Sequence, residues 1–493
     1  MKILLIYPEF PTTFWSFKHA LGFISKKASE PPLGLLTIAP MLPPLWEKKL
    51  IDLNVNHLRN KDIQWADMVF VGGMSIQKKS FKSIVKRCNE LGVKVVAGGP
   101  MVTENHEEFK GIDHFILNEA ELTLAPFLED LEKGCPEKLY STSEFAELKE
   151  TPLPDWSLLK PSHYASMDLQ YSRGCPFNCE FCSITTLFGH KPRVKETPQF
   201  IEELDSLRSG GWHGPVFIVD DNFIGNKKEI KATMLPALIS WQKKHKYPFT
   251  FTTEVSINLA DDDELMELMS QAGFTSCFVG IESPEEESLA ECGKVQNRNR
   301  DMLKSVKKMQ RMGFTISGGF IVGFDNDPQD IFEKQARFIR KSGIATAMVG
   351  LLNAPHGTPL FRRLQSENRI LESFSGNNTD GSLNFIPRMN TEKLLEGYKN
   401  LIRTIYSPRE YFERIKVFLS EYHIPDVPVG KHPFYGLRAL MKVTLRIGLF
   451  QRRGKRYFWK LLAYTIWNHP QKIRMALTMA VYGFHFRKIA EAI

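Results

Sequence analysis

Short apolar runs alternate with helical stretches along most of this 493-residue chain, and that alternation restricts the fold more than any other feature. A strand, a helix and a second strand close as a parallel sheet, because the helix carries the chain back across one face. Before residue 135 the runs at 2–7, 49–53, 68–71 and 93–97 read as buried parallel strands, with a helix over 80–91 among them. Six further strands are expected at 169–172, 216–220, 250–254, 277–281, 315–322 and 346–352. Helices over 198–209, 227–244, 261–272, 299–312 and 328–341 separate them. Six such units make an incomplete barrel rather than the closed eightfold one. The fold class is therefore α/β. Its expected divisions are 1–140, a Pro-rich linker over 141–165, a barrel over 166–365, an accessory helical region over 366–430 and a tail over 431–493. The accessory region opens on a Gly/Asn/Ser-rich turn at 375–381 and continues into a helix over 391–406.

Composition narrows the class. The chain is 43% hydrophobic and 24% charged, which suits a globular protein with an ample core. It has no apolar run of membrane-spanning length, and its N-terminal apolar run is stopped by Pro8, too early for a signal peptide. Seven cysteines, with Cys88, Cys135, Cys277 and Cys292 scattered, argue against a disulfide framework and for a reducing, cytoplasmic setting. The net charge of +8 is concentrated in the tail, where thirteen Lys or Arg residues face one acid, Glu491. Basic residues there interleave with Phe, Tyr, Trp and Leu at 438–450 and 457–467. Such a pattern suits an anionic membrane surface on the inner face. A solvated basic face and a nucleic-acid surface are its rivals, and nucleic acid is not the expected partner.

The remaining three cysteines, Cys175, Cys179 and Cys182, are spaced C-x3-C-x2-C just after the first barrel strand. Three thiolates on so short a loop can wrap one face of a soft metal centre, yet they leave a four-thiolate iron–sulfur shell incomplete. An iron without a protein ligand is free to bind substrate. A Cys3His zinc site with His190 and a redox pair at Cys179 and Cys182 are the plainer readings. Neither accounts for the polar residues at the later strand ends, where barrel chemistry sits. Those are Asp220-Asp221-Asn222, Thr253-Glu254, Gly280-Ile281-Glu282 and Gly318 through Phe324.

The cysteine loop, with Phe181 before its last cysteine and these strand ends in order behind it, resembles the radical S-adenosylmethionine (radical SAM) enzymes. The resemblance implies a [4Fe-4S] cluster on Cys175, Cys179 and Cys182 whose fourth iron chelates SAM. It also implies Asp221 and Asn222 near the methionine amino group, Glu254 and Glu282 near the ribose or methionine, and Gly323 and Phe324 near adenine. A Rossmann-like domain ahead of a partial (β/α)6 barrel, followed by a C-terminal helical extension, resembles the cobalamin-binding, class B members over roughly residues 1–425. The likeness is carried by Pro31-Pro32-Leu33-Gly34-Leu35, Ser75-Ile76-Gln77, Gly98-Gly99-Pro100 and Asn118-Glu119-Ala120-Glu121, and it implies cobalamin contacts at Ser75, Gln77, Gly98, Gly99 and Glu119. The Asp-x-His-x-x-Gly motif of many cobalamin enzymes is absent, and His57 has the wrong spacing to replace it, so no histidine is expected on cobalt. Within that group the chain resembles the hopanoid C-2 methylase type.

The resemblance implies methylation of an unactivated carbon in a lipid-like or other hydrophobic small molecule. In that scheme the reduced cluster cleaves SAM to a 5′-deoxyadenosyl radical, the radical takes a substrate hydrogen atom, and methylcobalamin supplies the methyl group. An electron donor such as flavodoxin or ferredoxin is a further implied partner. The alternative is a radical cyclisation, dehydrogenation or rearrangement without methyl transfer. A non-enzymatic iron–sulfur or RNA-binding protein is the third class.

Overall fold

The computed structural model describes residues 1–371, 375–377, 380–427, 433–451 and 453–493, with backbone alone at 433–437. Residues 378–379 of the expected Gly/Asn/Ser-rich turn and the expected boundary at 430–431 lie outside the described residues. The first sheet is built from β1 (Lys2–Tyr7), β2 (Glu47–Asp52), β3 (Met68–Gly72), β4 (Lys94–Gly98), β5 (His114–Ile116) and β6 (Leu139–Tyr140). Its order is β2-β1-β3-β4-β5-β6, and all five pairings are parallel. Alternate residues of β1 feed two cores. Leu4 and Ile6 pack with Val69, Val71 and Phe81, while Ile3 and Leu5 pack with Leu35, Phe70 and Phe127. Helices cover both faces, which is why the strand reads as a continuous apolar run. β1 lies between β2 and β3, so the chain reverses its winding there. In a doubly wound sheet that reversal opens a crevice at the carboxyl ends of the strands.

The second sheet holds β7 (Met167–Leu169), β10 (Gly214–Ile218), β11 (Phe249–Val255), β12 (Phe274–Glu282), β13 (Thr315–Val322) and β14 (Thr346–Leu351). These follow one another across the sheet in chain order, all parallel, as a six-unit open barrel requires. Its first strand differs from the expected 169–172. The ladder ends at Leu169, and Ser172–Arg173 (β8) pairs antiparallel with Arg193–Val194 (β9). The cause is Asp220, whose carboxylate accepts from the Tyr171 amide at 2.8 Å and the Ser172 hydroxyl at 2.6 Å. Those bonds lift the chain out of the sheet toward the cysteine loop.

The basic tail is folded onto the body rather than detached from it. The helix Ile473–Ala492 packs against Lys18–Leu21, Thr391–Ile405, Pro408–Glu421 and Lys455–Asn468. Its Phe486 stacks on Phe14 with ring centroids 4.1 Å apart, and the Phe14 carbonyl lies 2.9 Å from His485 Nε2. Phe458, which the sequence pattern offers to a membrane, is buried at 4% exposure in this packing. Among the described residues no helix is long and apolar enough to cross a membrane.

Candidate functional site

The cysteine loop leaves β8 through Gly174, at φ +92°. A Cβ there would fall 2.9 Å from the Lys191 carbonyl oxygen and 3.0 Å from that of Gly189, so only glycine fits this turn. The loop is then pinned from several sides. Cys182 N–H bonds the Cys179 carbonyl at 3.0 Å, Glu180 N–H bonds the Cys292 carbonyl at 2.9 Å, and Arg363 grips the Glu180 carboxylate through two nitrogens at 2.6 and 3.0 Å. Phe181 sits near Phe324 with ring centroids 6.3 Å apart, in a small apolar cluster with Cys292, Leu352 and Leu360. Amide groups approach the sulfurs: Asn222 Nδ2 lies 4.0 Å from Cys175 Sγ and Gln296 Nε2 lies 3.8 Å from Cys179 Sγ. Burial raises all three thiols, Cys182 to about 12, while the nearby Lys294 charge opposes that rise. A thiol so placed ionises readily only when a metal takes the proton's place. Among the described residues no three His, Cys, Asp or Glu side chains gather around one point as ligands of a single ion would.

Carboxylates crowd the adjoining strand ends. Burial pushes Asp221 up to about 7 and Glu254 up to about 8, with Asp220 adding to the first and Asp221 to the second. Glu282 has φ +61° at a register shift in β12, and its carboxylate accepts from Lys294 Nζ at 2.7 Å. Burial works against the Lys294 charge, but Glu282 and Cys179 outweigh it and hold the ammonium form. The pair lies directly over Gly280, where a Cβ would collide with both partners. Asn222 links this region to the loop, since its Oδ1 accepts from the Ser256 amide at 3.1 Å. The amides of Gly323 and Phe324 both bond Asp327, at 2.7 and 3.1 Å, and Phe324 is buried beside Phe181 of the cysteine loop.

A cavity of about 660 Å³ opens between the two sheets. From the first sheet and the turns and helix beside it come Tyr7, Gly34, Gly72, Gly73, Gly98, Gly99 and Asn118; from the second region come Asp168, Gln170, Arg173, Phe217 and Val219. Phe10, Phe14 and Trp15 add an aromatic wall. The halves are clamped by buried ion pairs. Arg173 reaches Glu119 at 2.7 Å and Glu121 at 2.8 Å, and Arg193 reaches Glu119 at 2.9 Å. Breaking a buried pair of this kind by removing one partner typically costs about 3–5 kcal/mol.

The radical SAM superfamily model matches residues 169–339, and a second model, a domain of unknown function (DUF4070), matches 358–493. An uncharacterized methyltransferase of Synechocystis sp. is 39% identical over all of this chain and 92% of its own length. Hopanoid C-2 methylase of Rhodopseudomonas palustris is 32% identical over 92% of this chain and 85% of its own. The chain belongs to the class B radical SAM methylases. The fold agrees: the cobalamin-dependent radical SAM enzyme OxsB with aqua-cobalamin bound superposes at TM-score 0.62 and 15% identity, covering 100% of this chain and 80% of that one. The radical SAM methyltransferase TsrM of Kitasatospora setae, with cobalamin and a [4Fe-4S] cluster, superposes at TM-score 0.60 and 14% identity, covering 100% and 99%. A radical SAM methylase of this class works with a [4Fe-4S] cluster, SAM and cobalamin.

The residues present suit those groups. The thiols, the approaching amides and Lys294 form a donor set for an anionic cluster, and donors beside cluster sulfurs tune its potential. The neighbouring carboxylates favour a cationic ligand such as SAM. On the other side, Gly34 faces open space with nothing within 4 Å of a Cβ, and Gly99 is held at φ +91° beside Gly73. That is room for a large neutral ring. Among the described residues no histidine lines the cavity, and His57 is exposed elsewhere.

Several expected contacts are otherwise engaged. Gln77 is fully buried, accepting from the Met74 amide at 2.9 Å and donating to the Pro8 carbonyl at 2.6 Å. Ser75 donates to Glu104 at 3.1 Å, and neither Ser75 nor Gln77 lines the cavity. Glu119 lines it, but its carboxylate is taken by Arg173, Arg193 and the Ala146 amide at 2.9 Å. Asp221, Asn222 and Glu282 sit beside the cysteine loop, with Glu254 next to Asp221, rather than in this cavity. Residues missed in sequence include Arg173, Arg193, Lys294 and Gln296, and the facing acids Glu30 and Asp168. Burial raises both acids, and Asp168 leaves Oδ1 without a partner. Asp168 carried one signal, a charge inside an apolar strand.

Proposed function

We propose that this enzyme transfers a methyl group to an unactivated carbon of a hydrophobic, lipid-like small molecule. The observation that carries the reading is the aromatic-walled cavity, which meets the glycine-lined end of the first sheet on one side and the cysteine-bearing barrel on the other. The identity to hopanoid C-2 methylase supports carbon methylation. Bound together, the cluster, SAM and cobalamin supply radical formation and a transferable methyl group.

The chain's own residues bind, orient and exclude water. Cys175, Cys179 and Cys182 hold the cluster. Asp221, Asn222, Glu254 and Glu282 with Lys294 form the SAM side, and Gly323 and Phe324 support the adenine end through the packed loop. Gly34, Gly98 and Gly99 leave the space for cobalamin, while Ser75, Gln77 and Glu119 shape its edge from behind. Phe14 and Trp15 face the apolar substrate. A low-potential donor such as flavodoxin or ferredoxin supplies electrons in the cytoplasm, and an apolar substrate brings the enzyme to the inner face of the membrane.

The test is anaerobic reconstitution with SAM, cobalamin and a reductant, followed by untargeted lipid analysis of an expressing cell against a control. A product heavier by one CH2 is expected, together with 5′-deoxyadenosine. Formation of 5′-deoxyadenosine with a product lacking the added carbon would replace methylation by cyclisation, dehydrogenation or rearrangement.

A further inference from the structure

Eight of the nineteen exposed large apolar side chains among the described residues fall between Leu440 and Trp467. Phe450 is 76% exposed and Trp467 89%. They belong to two consecutive segments. In the helix Pro433–Val443 and the π-helical Thr444–Leu449 that continues it, Met441, Leu445 and Leu449 recur every four residues and are exposed. Val443 and Ile447, between them, are buried. In Lys455–Asn468, Trp459, Ile466 and Trp467 share the outer face while Phe458, Leu461 and Thr465 face inward. The segments touch where Trp459 Nε1 donates to the Gly448 carbonyl at 3.0 Å, which sets their apolar faces side by side.

Around this face lie exposed Arg438, Arg446, Arg453, Lys455, Arg456 and Lys460. No Asp or Glu occurs between Asp426 and Glu491. A soluble chain rarely exposes so many apolar residues together without a partner. A basic rim with Trp and Phe beside aliphatic side chains matches a bilayer of anionic lipid, where aromatic rings sit at headgroup level and basic groups meet phosphate. RNA would use the arginines and the rings but has no use for Met441, Leu445, Leu449 and Ile466.

We infer that this two-segment face docks on an anionic membrane surface and that it is built onto the wall of the interdomain cavity. Lys442 Nζ donates to Ser25 Oγ at 2.7 Å, and the Arg446 guanidinium lies 5.5 Å from the Phe23 ring centroid. The strap before Phe23 carries Phe14 and Trp15 into the cavity, and Phe14 is clamped from behind by His485 and Phe486. A docked face therefore holds the aromatic wall near the lipid. This link to substrate delivery rests on the apolar-substrate reading; the docking stands apart from it.

The test is co-sedimentation of the full-length protein with vesicles of phosphatidylcholine alone and of equal parts phosphatidylcholine and phosphatidylglycerol. Two variants accompany it, F450D/W467D and R453E/R456E/K460E. Wild type should prefer anionic vesicles by on the order of tenfold or more, as a few basic groups at about 1 kcal/mol each imply. High salt should erase that preference. Each variant should lose it while keeping its Tm and its 5′-deoxyadenosine formation. Equal sedimentation with both vesicle types, unchanged binding by both variants, or displacement from anionic vesicles by RNA would overturn the inference. Vesicle docking without any methylated lipid would uphold it and remove the apolar-substrate reading instead.

Discussion

The carboxyl ends of the two sheets are built from opposite chemistry. The barrel end carries three thiols, Asp221, Glu254 and a Glu282–Lys294 pair at 2.7 Å, with glycine used mainly to let charged groups fit, as at Gly280. The first sheet ends in Gly72, Gly73, Gly98, Gly99 and Asn118, and the carboxylates beside them are engaged, Glu119 by Arg173 at the cavity edge and Glu104 by Ser75. A charged rim selects a metal cluster and a cationic sulfonium ligand. A neutral, backbone-rich rim selects size and shape. On the proposed reading the family's cofactors divide the same way, one kind of guest to each sheet end.

The largest effect should come from stripping the charged end. Replacing Cys175, Cys179 and Cys182 together by Ala should take iron–sulfur absorbance and SAM cleavage down to background while cobalamin uptake and the fold survive. A variant that keeps a full cluster would break the contrast at its stronger side. The neutral end is sharpened by Gly34→Leu. A Cβ at Gly34 has nothing within 4 Å, so the new side chain fills cavity rather than core. Cobalamin uptake, read by absorbance after desalting, should fall by on the order of tenfold or more, and Tm should hold or rise, because Gly costs a helix about 1 kcal/mol. Unchanged uptake would show that cobalamin lies elsewhere.

The smallest effect is a pH slope. Glu254 has its carboxyl raised from 4.5 to about 8 by burial, and Asp221 from 3.8 to about 7. The folded chain holds these protons more tightly than the unfolded one. Their stabilising contribution is complete below the unfolded values and is lost as pH rises through the folded ones. The SAM-free protein should therefore lose Tm on going from about pH 5 to about pH 8. Glu254→Gln should reduce that slope by up to about 1.4 kcal/mol per pH unit and be the more stable protein at the alkaline end. A wild-type Tm that climbs over this range would remove the buried-acid description of the barrel end.

Legibility in the sequence followed distance along the chain. The cysteine spacing and the order of acidic strand ends are local patterns, and both were readable. β5 and β6 were missed because three and two residues carry too little periodicity to mark a strand. β7 was misjudged by a few residues, since its end is set by Asp220, 49 positions beyond Tyr171. Gln77 and Glu119 were expected as cofactor contacts because their segments resemble those of the cobalamin-binding members. Their side chains are consumed by Pro8, Arg173 and Arg193, partners no spacing rule names.

By itself the sequence determined two parallel sheets, a three-cysteine loop on the second, and a basic, aromatic C-terminal region. These are properties of periodicity, residue type and short spacing, which act within a turn or a strand. Only the tertiary structure decided which acids face a ligand and which clamp the halves together. It also turned half of the tail inward, burying Phe458 and setting Phe486 on Phe14 across 472 positions while leaving Phe450 and Trp467 outside. Such choices depend on which surfaces meet when the whole chain minimises exposed apolar area and unpaired charge, and that balance is struck between residues far apart in sequence.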